Sequence, residues 1–589
     1  MGRLFPAGMK ASNPIETRLW DEPGPITHVH AFYYWERSTP EAVFMRQPYG
    51  KHWHSVTWQQ AGDQARRIAT ALQALGAEKS SLVGILSKNC YHWIIADLAI
   101  AMTGAVSVPF YANLAPHDLR TVLEKSEVTH LFVGKLDAGY WEKVRAVVPG
   151  HIRLIHFPPY PGHSQVSDGE SWDDLLQKYP PLKKAHQPAL EDLWTILYTS
   201  GTTGIPKGVM LPYRCPFRFM EHERRYNAFG IFEIPAYRLI SYLPLNHIAE
   251  RIAIEVAALY RGGHISFVES VDTFAQNIQQ TQPTFFFGVP RIWQRLQQGV
   301  LERLGGAERY ERLSRLPLLG AFLKGYIRRK LGLAKVQVAL TGGAITPDPI
   351  KDWFHRLGIP LREVYAMTEN CAGCTVMPRR QNKPGTVGKP LQEVRLKIDP
   401  ETNEILMWAD WVMDGYYKDP EKTAEVIRDG WLHTGDTGEL DQEGFLRITG
   451  RLKDTFKTAK GLFVAPEPLE TPFAQLPYVE QVCLVGLALP QPILLATLSE
   501  LGHKTPRPQV EAAFLKLLQT VNDPLPSYQR IARIVLLSDT WSIDNSLLTP
   551  TFKVRRHQIH QRYSPFYETW LASPQTIIWH LPQENPILV

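Results

Sequence analysis

Between Ser81 and Gly134 the hydrophobic period changes from one segment to the next, and this alternation constrains the fold more than any other feature of the chain. "SLVGILS", from Ser81, is a short apolar run of strand type, and "YHWIIADLAIAMTGA" has the spacing of a helix. "VSVPFY" is strand-like again, "DLRTVLEKS" helical, and "THLFVG" strand-like. Strands separated by helices are joined by crossovers, so the pattern predicts a mostly parallel sheet with helices on its faces. The longest apolar stretch, "LAIAMTGAVSVPFY" from Leu98, follows Asp97 and is interrupted by Pro109. It is too short to span a bilayer and predicts a core helix running into a buried strand.

At 589 residues the chain exceeds one ordinary domain. A second organisation begins near "TGRLKDTFKTAKG", Thr449 to Gly461. Beyond it, the strands "QVCLVGLAL" and "ARIVLLS" and the helix around "EAAFLKLLQT" predict a compact α+β unit. "FPPYPGHSQVSDGESW", from Phe157, reads as a surface loop, and the aromatic- and proline-rich stretch after Arg562 receives no assignment. No internal repeat is visible. A net charge of +6, from 64 basic and 58 acidic residues, is mild for this length and gives no reason to expect nucleic acid as a partner. Five cysteines do not make a disulfide framework and favour a reducing compartment. "MGRLFPAGMK" lacks the apolar core of a signal peptide, and Pro6 stands where a myristoylation signal has Ser or Thr. A cytoplasmic location is the expectation.

"LYTSGTTGIPKGVMLPY", Leu197 to Tyr213, sets small polar residues and one lysine between two strand-like runs. Glycines let a backbone approach a ligand and turn successive N–H groups toward it. Thr and Ser add hydroxyl donors, and a lysine at the rim adds a mobile charge. The stretch therefore predicts a phosphate cradle, with an ordinary Gly/Thr-rich turn as the alternative. The order Lys207-Gly208 differs from the Gly-Lys-Ser/Thr of the common P-loop.

"YTSGTTGIPKG" resembles the signature of adenylate-forming enzymes, which include acyl-CoA synthetases, peptide-synthetase adenylation domains and firefly luciferase. Further motifs follow in that superfamily's order: "YLPLNHIAER" from Tyr242, "LTGGAITP" from Leu340, "YAMTEN" from Tyr365, "DGWLHTGDTGELDQEGFLRITGRLKD" from Asp429 and "LLTPTFKVRR" from Leu547. The resemblance runs from about Tyr33 to about Arg562. It implies an α/β fold: a large N-terminal region of several subdomains with mostly parallel sheets (1–450), a hinge (451–453) and a small mobile α+β domain (454–589). It also implies two steps. A carboxylate attacks the α-phosphate of ATP to give acyl-adenylate and pyrophosphate, and a thiol then displaces AMP.

The resemblance assigns roles residue by residue. Thr199, Ser200, Gly201, Thr202, Thr203, Gly204 and Lys207 would hold the β- and γ-phosphates. Glu369 would bind Mg²⁺, a hard cation that takes carboxylate oxygen beside phosphates. Thr368 would donate to the α-phosphate and Tyr365 would stack on adenine, the alternative for Tyr365 being a core aromatic at a strand end. Gly342, Gly343 and Ala344 would form the loop beside adenine and acyl carbonyl, with Glu363 and Ala366 also in the nucleotide site. Asp436 would accept bonds from both ribose hydroxyls, as a carboxylate can. Arg451 would contact ribose or phosphate. Lys553 would place a charge between the substrate carboxylate and the α-phosphate as charge develops. His247 would lie near the substrate carboxylate, against the alternative of a structural histidine. Lys453 falls at the hinge that lets the small domain rotate between steps, and Lys460 and Gly461 would meet CoA. Cys371 and Cys374 form a C-x-x-C with no second pair, and read as small buried residues at the pocket.

"DTFKTAKGLFVAPEPLE", "DGWLHTGD" and "TPTFK" resemble the long-chain fatty acyl-CoA synthetase branch, so a fatty acid and CoA are the implied substrates and ATP and Mg²⁺ the cofactors. The chain departs from the common pattern at Ala366, where glycine is usual, and in "GRLKD" for "DRKKD". "TFFFGVPRIWQRL", from Thr284, could line an apolar tunnel or be core. "AFLKGYIRRKLGL", from Ala321, predicts a surface helix packed on the domain, with a peripheral contact to an anionic membrane as the alternative. Two rivals to the ligase stand: a fatty acyl-AMP ligase that loads a carrier-protein thiol, and a non-catalytic binding protein on the same scaffold.

Overall fold

The computed structural model describes residues 18–199 and 206–580. The expectations for the N-terminal decapeptide and for Ser200, Gly201, Thr202, Thr203 and Gly204 fall outside those residues.

The alternating segment forms the centre of an eight-stranded sheet. Leu82–Leu86 lies between Val106–Phe110 and His130–Val133 and pairs with both in parallel. The crossovers are the helices Tyr91–Thr103 and Pro116–Ser126. Every residue of Tyr91–Thr103 is buried, which is why that segment is apolar around nearly its whole circumference. Beyond His130–Val133 the sheet continues in parallel through Arg153–His156 to Glu170–Ser171. The Pro/Gly-rich stretch from Phe157 is thus mostly loop, but its end supplies that last short strand. On the other side, Leu193–Thr199 joins in parallel, Lys207–Pro212 turns back antiparallel, and Gly415–Tyr416 closes the edge. That closure lays Tyr416, two hundred residues downstream, beside the strand that begins at Lys207.

A second sheet sets Phe285–Gly288, Val338–Thr341 and Leu361–Tyr365 side by side in parallel, with Thr375–Val376 and Lys389–Pro390 added antiparallel. Gly342 and Tyr365 therefore lie together at the carboxyl ends of neighbouring strands, where open α/β sheets bind ligands. A third sheet joins Arg238–Ser241, His264–Phe267, Val43–Tyr49 and His52–Thr57. A fourth is antiparallel, with Trp431–Leu440 at its centre and Leu446–Arg451 folded back on it.

The C-terminal residues build a sheet of their own from Val479–Val485, Ile493–Leu498, Arg533–Leu537 and Ile577–His580. One face is covered by Glu467–Ala474 and Arg507–Asn522 through Phe473 and Phe514, the other by Arg556–Tyr563 and Tyr567–Ala572 through Ile559 and Trp570. Within the stretch after Arg562, the described residues 563–580 form helical turns and the fourth strand. Its strand, "IIWH", is too short to show a period, and its partner lies forty residues back. Against the rest of the protein this unit is held by Arg555 Nη2 donating to Asp118 Oδ2 at 2.9 Å and Lys143 Nζ to Asp544 Oδ1 at 2.6 Å. Asn113 Nδ2 to the Pro550 carbonyl at 3.1 Å and an Arg291–Glu480 pair add to the contact, as does packing of Glu467–Ala474 on Leu446–Arg451. No helix among the described residues is long and apolar enough to cross a membrane.

Candidate active site

One continuous cavity of about 3610 Å³ runs between the sheets and under the C-terminal unit. It is several times the size of a single ligand pocket, so it holds compartments for more than one group. Thr199, Lys207, Gly342, Gly343, Ala344, Tyr365, Ala366, Thr368, Glu369, Asp436, Arg451, Lys453, Lys553 and His247 all line it. Residues from six separated motifs are thus brought to one space.

The phosphate end is built on the edge of the large sheet. Thr199 and Lys207 face each other as the last and first residues of paired strands. Lys207 Nζ lies 4.9 Å over the Tyr416 ring, and Tyr416 Oη donates to Glu369 Oε1 at 2.9 Å. Glu369 Oε2 has no hydrogen-bond partner among the described residues. Burial, then Lys453 and Lys422, push the Lys207 ammonium below the ordinary lysine range. Burial pushes the Glu369 carboxyl above its ordinary range. In both groups burial disfavours the charged form, a cost that phosphate oxygens and a hard cation would relieve together. Tyr416 was missed in the sequence, although "DGYYKDPE" surrounds it. Its role depends on a strand pairing that no local pattern announces.

The nucleoside end lies where the second and fourth sheets meet. Gly342 cannot carry a side chain: a Cβ there would stand 2.7 Å from Val364 Cγ2 and 2.8 Å from the Val364 carbonyl. Gly343 has φ +84°, which side-chain-bearing residues rarely adopt. Asp436 sits opposite Arg451 in the strand register. Its Oδ1 is 3.1 Å from Arg451 Nε, and its Oδ2 accepts from Tyr365 Oη at 2.8 Å. Two of about four acceptor positions on the carboxylate are filled, and two stay open toward the cavity, the number a ribose diol needs. Tyr365 is buried at the strand end, so it is both a core aromatic and a cavity wall.

Glu363 needs correction. Its side chain does not line the cavity. Oε2 is 2.5 Å from Lys351 Nζ, and Oε1 accepts from the Thr346 amide at 2.6 Å. With both oxygens engaged, Glu363 fixes the loop that follows Gly343 rather than offering a group to a nucleotide.

The reactive centre joins both domains. Lys553 follows "LTPT", with its amide donating to Thr549 Oγ1 at 3.0 Å. Its side chain is open to the cleft, yet the cleft walls surround it. That crowding, then Arg451, pushes the ammonium down to about 8, opposed by Asp436 and Glu467. Water in the cleft moderates the effect. His247 caps the short helix Ile248–Glu250, its Nδ1 accepting from the Ala249 amide at 3.2 Å. Burial, then Lys553, lower its pKa to about 4, so the ring is neutral. An accepting Nδ1 leaves the proton on Nε2, which makes His247 a donor.

From His247 the helix continues through a π-helical segment, Arg251–Val256, into Ala257–Arg261. The wide turn puts Ile252 and Ala253 against the cavity and sinks Arg251 and Glu255 into the core. Arg251 Nη2 is 2.5 Å from Asp97, Nε 2.8 Å from Glu255, and Nη1 donates to Thr195 Oγ1 at 3.0 Å. Its guanidinium stacks on Trp194 at 4.2 Å. Arg251 thereby ties the His247 helix to the strand that ends in Thr199. This tie was not read from the sequence. The wall beyond is apolar: Phe219, Phe229, Ile231 and Phe285 line it. In "TFFFG", Phe285 and Phe287 face the cavity while Phe286 turns away onto Trp293. The stretch is tunnel wall and core on alternate residues, as a strand requires.

Lys453 is exposed at the cavity rim, where the Leu446–Arg451 strand leaves for the C-terminal unit. Lys460 and Gly461 do not line the cavity. They sit exposed in the turn between Phe456–Lys457 and Phe463–Val464, with Gly461 at φ +75°. Cys371 and Cys374 are fully buried in the main core, behind Ala372, which lines the cavity.

Residues 32–417 match the family model of the AMP-binding enzymes, and residues 453–569 match that family's C-terminal domain. The chain is 30 % identical to fatty acyl-CoA synthetase A of Dictyostelium discoideum over 88 % of its length and 86 % of that protein's. It is 28 % identical to the long-chain-fatty-acid–CoA ligase FadD15 of Mycobacterium bovis, covering 90 % of this chain and 94 % of the other. Among solved structures, the adenylation domain of a carboxylate reductase from Mycobacterium chelonae superposes with a TM-score of 0.78 at 21 % identity, over 95 % and 94 % of the two chains.

Proposed function

The chain belongs to the AMP-binding enzyme family, and from that premise we propose that it is an ATP-dependent, AMP-forming ligase that activates a long-chain fatty acid and transfers it to CoA. The observation that carries this reading is the meeting, in one cavity, of an open Asp436 carboxylate, the Lys553 ammonium, a donor histidine and an apolar wall. Fatty acid is the acid named for the relatives above, and Phe219, Phe229, Ile231 and Phe285 give an alkyl chain somewhere to lie.

ATP would lie with its ribose on Asp436 and its phosphates toward Lys207 and Thr199. Mg²⁺ fits beside them: the free oxygen of Glu369 would hold it, and it would neutralise phosphate charge. His247 Nε2 donates to one oxygen of the fatty acid carboxylate. The other oxygen attacks the α-phosphorus, the bond from that phosphorus to the bridging oxygen breaks, and pyrophosphate leaves. Lys553 stands where two anions must approach and offsets their repulsion as charge builds. In the second step the CoA sulfur attacks the acyl carbon and AMP leaves. We assign 1–450 and 454–589 as the two bodies, moving about 451–453. With Lys553 at the site, Lys460 and Gly461 are outside it. Rotation would withdraw the first and bring in the other two.

Fatty-acid-dependent exchange of labelled pyrophosphate into ATP, in the absence of CoA, tests the reading. The expected result is exchange that requires Mg²⁺ and a long-chain acid. No exchange with any acid would contradict it.

A further inference from the structure

Five of the fourteen large apolar side chains exposed on the described surface fall within one short segment: Leu316, Leu318, Leu319, Phe322 and Tyr326. The helix Leu319–Lys330 explains the clustering. Gly320, Leu323 and Ile327 recur at i, i+3 and i+7 and form the stripe turned into the protein. Leu319, Phe322 and Tyr326 form the adjacent stripe, about 100° round the helix, and meet solvent, Phe322 being 73 % exposed. The fold covers only half of an apolar arc. Leu318, just before the helix, is 89 % exposed with φ +59°, a conformation costly for a leucine and offset by no burial. The expectation of a helix simply packed on the domain therefore holds for one stripe and fails for the next.

The surroundings are basic. Positions 301–335 hold nine Lys and Arg against three Glu, a surplus as large as the net +6 of the whole chain. Arg315 and Arg356 share Glu311 at 3.6 and 3.4 Å. Arg312, Arg329 and Lys330 have no ion pair among the described residues, and Lys330 Nζ lies 5.7 Å over the Tyr326 ring. The patch also adjoins the cavity. The helix Ala307–Ser314 packs along Leu319–Lys330, and Gly306 at its start lines the cavity with Leu301 and Glu302.

We propose that this face docks on an anionic lipid bilayer, with Leu318 and Phe322 entering the acyl layer and Arg312, Arg315, Arg329 and Lys330 meeting headgroup anions. In consequence the acid is drawn from that surface, a clause that rests on the ligase reading above. An apolar apex in predominantly basic surroundings suits a bilayer of opposite charge. A second copy on a two-fold axis would bring like charges together.

The test is co-sedimentation of the full-length protein with vesicles of phosphatidylcholine, with and without phosphatidylglycerol. Binding to the anionic vesicles, weakened by salt, is expected. Leu318→Ser with Phe322→Ser is expected to lower apparent affinity at least ~10-fold. Arg312→Glu with Arg315→Glu should do so at low salt. Neither pair should alter adenylation of a long-chain acid supplied in non-ionic detergent micelles without vesicles. That control separates the two readings, since loss of adenylation in every form would indict the ligase assignment and leave the vesicle result standing. No binding to anionic vesicles, or equal binding by the variants, would overturn the proposal. So would a dimer abolished by Leu318→Ser with Phe322→Ser in a protein that ignores vesicles, which would give the face to a second copy.

Discussion

The proposed mechanism asks more of Lys553 than of any other single residue, and the two behaviours it expects are separable. Lys553→Ala should slow adenylation by ~10²–10³, the loss usual for one preorganised group at developing charge. Thioester formation from supplied acyl-AMP should largely survive. Half-reaction assays check this, and equal loss in both would refute the assigned role. Its pKa, lowered to about 8, sets a pH limb. The ammonium is present below that value and lost above it, so adenylation kcat/KM should fall as pH rises through about 8. Lys553→Arg, which keeps its charge, should retain reduced activity without that limb. Gly342 gives a second residue-level expectation. Because a Cβ there meets Val364 backbone and side chain below 3.0 Å, Gly342→Ala should raise the KM for ATP at least ~10-fold through a displaced loop, read from initial rates. That Asp436, Arg451 and Gly342 would meet at one cavity was legible from their local motifs. Glu363 was misread because a carboxylate next to a nucleotide motif looks the same whether it faces a ligand or, as here, a buried lysine.

The element that most needed the structure is the helix running from Ile248 to Arg261. The motif "YLPLNHIAER" overlaps its first turn, but no pattern there announces the helix, its π-helical middle or the inward-pointing Arg251. Arg251 is fully buried with Asp97 and Glu255. Removing one partner of such a cluster strands the others, so Arg251→Ala should destabilise by about 3–5 kcal/mol. Because a chain of two domains need not unfold in one step, the check is a selective fall in the N-terminal denaturation midpoint. Retention of the wild-type midpoint would mean that the cluster is dispensable. The parallel strands of the Ser81–Gly134 segment, by contrast, were legible because each is a buried apolar run set between segments of helical period, and only the sheet order was not. Strand neighbours so far apart in sequence as Gly415–Tyr416 and Lys207–Pro212, or Arg533–Leu537 and Ile577–His580, pair through backbone groups that every residue carries.

For the whole molecule the question is which arrangement of the two domains does which step. Here Lys553 faces the cavity, held there in part by Arg555–Asp118 and Lys143–Asp544 across the domain boundary. Lys143–Asp544 is exposed and adds little. Arg555–Asp118 is mostly shielded, so Asp118→Ala should loosen this arrangement and slow adenylation ~3–10-fold while leaving thioester formation from acyl-AMP unchanged. Parallel loss of both steps would argue against two functional arrangements. The motif order disclosed the presence of two domains, but not these contacts, whose partners are more than four hundred residues apart.

The most direct test of the central claim is AMP release with Mg·ATP across saturated acids from butyrate to stearate, with and without CoA. The account predicts CoA-dependent AMP release that rises toward the long chains. Adenylate that forms but that CoA never discharges, or release that peaks at the shortest acids, would contradict it.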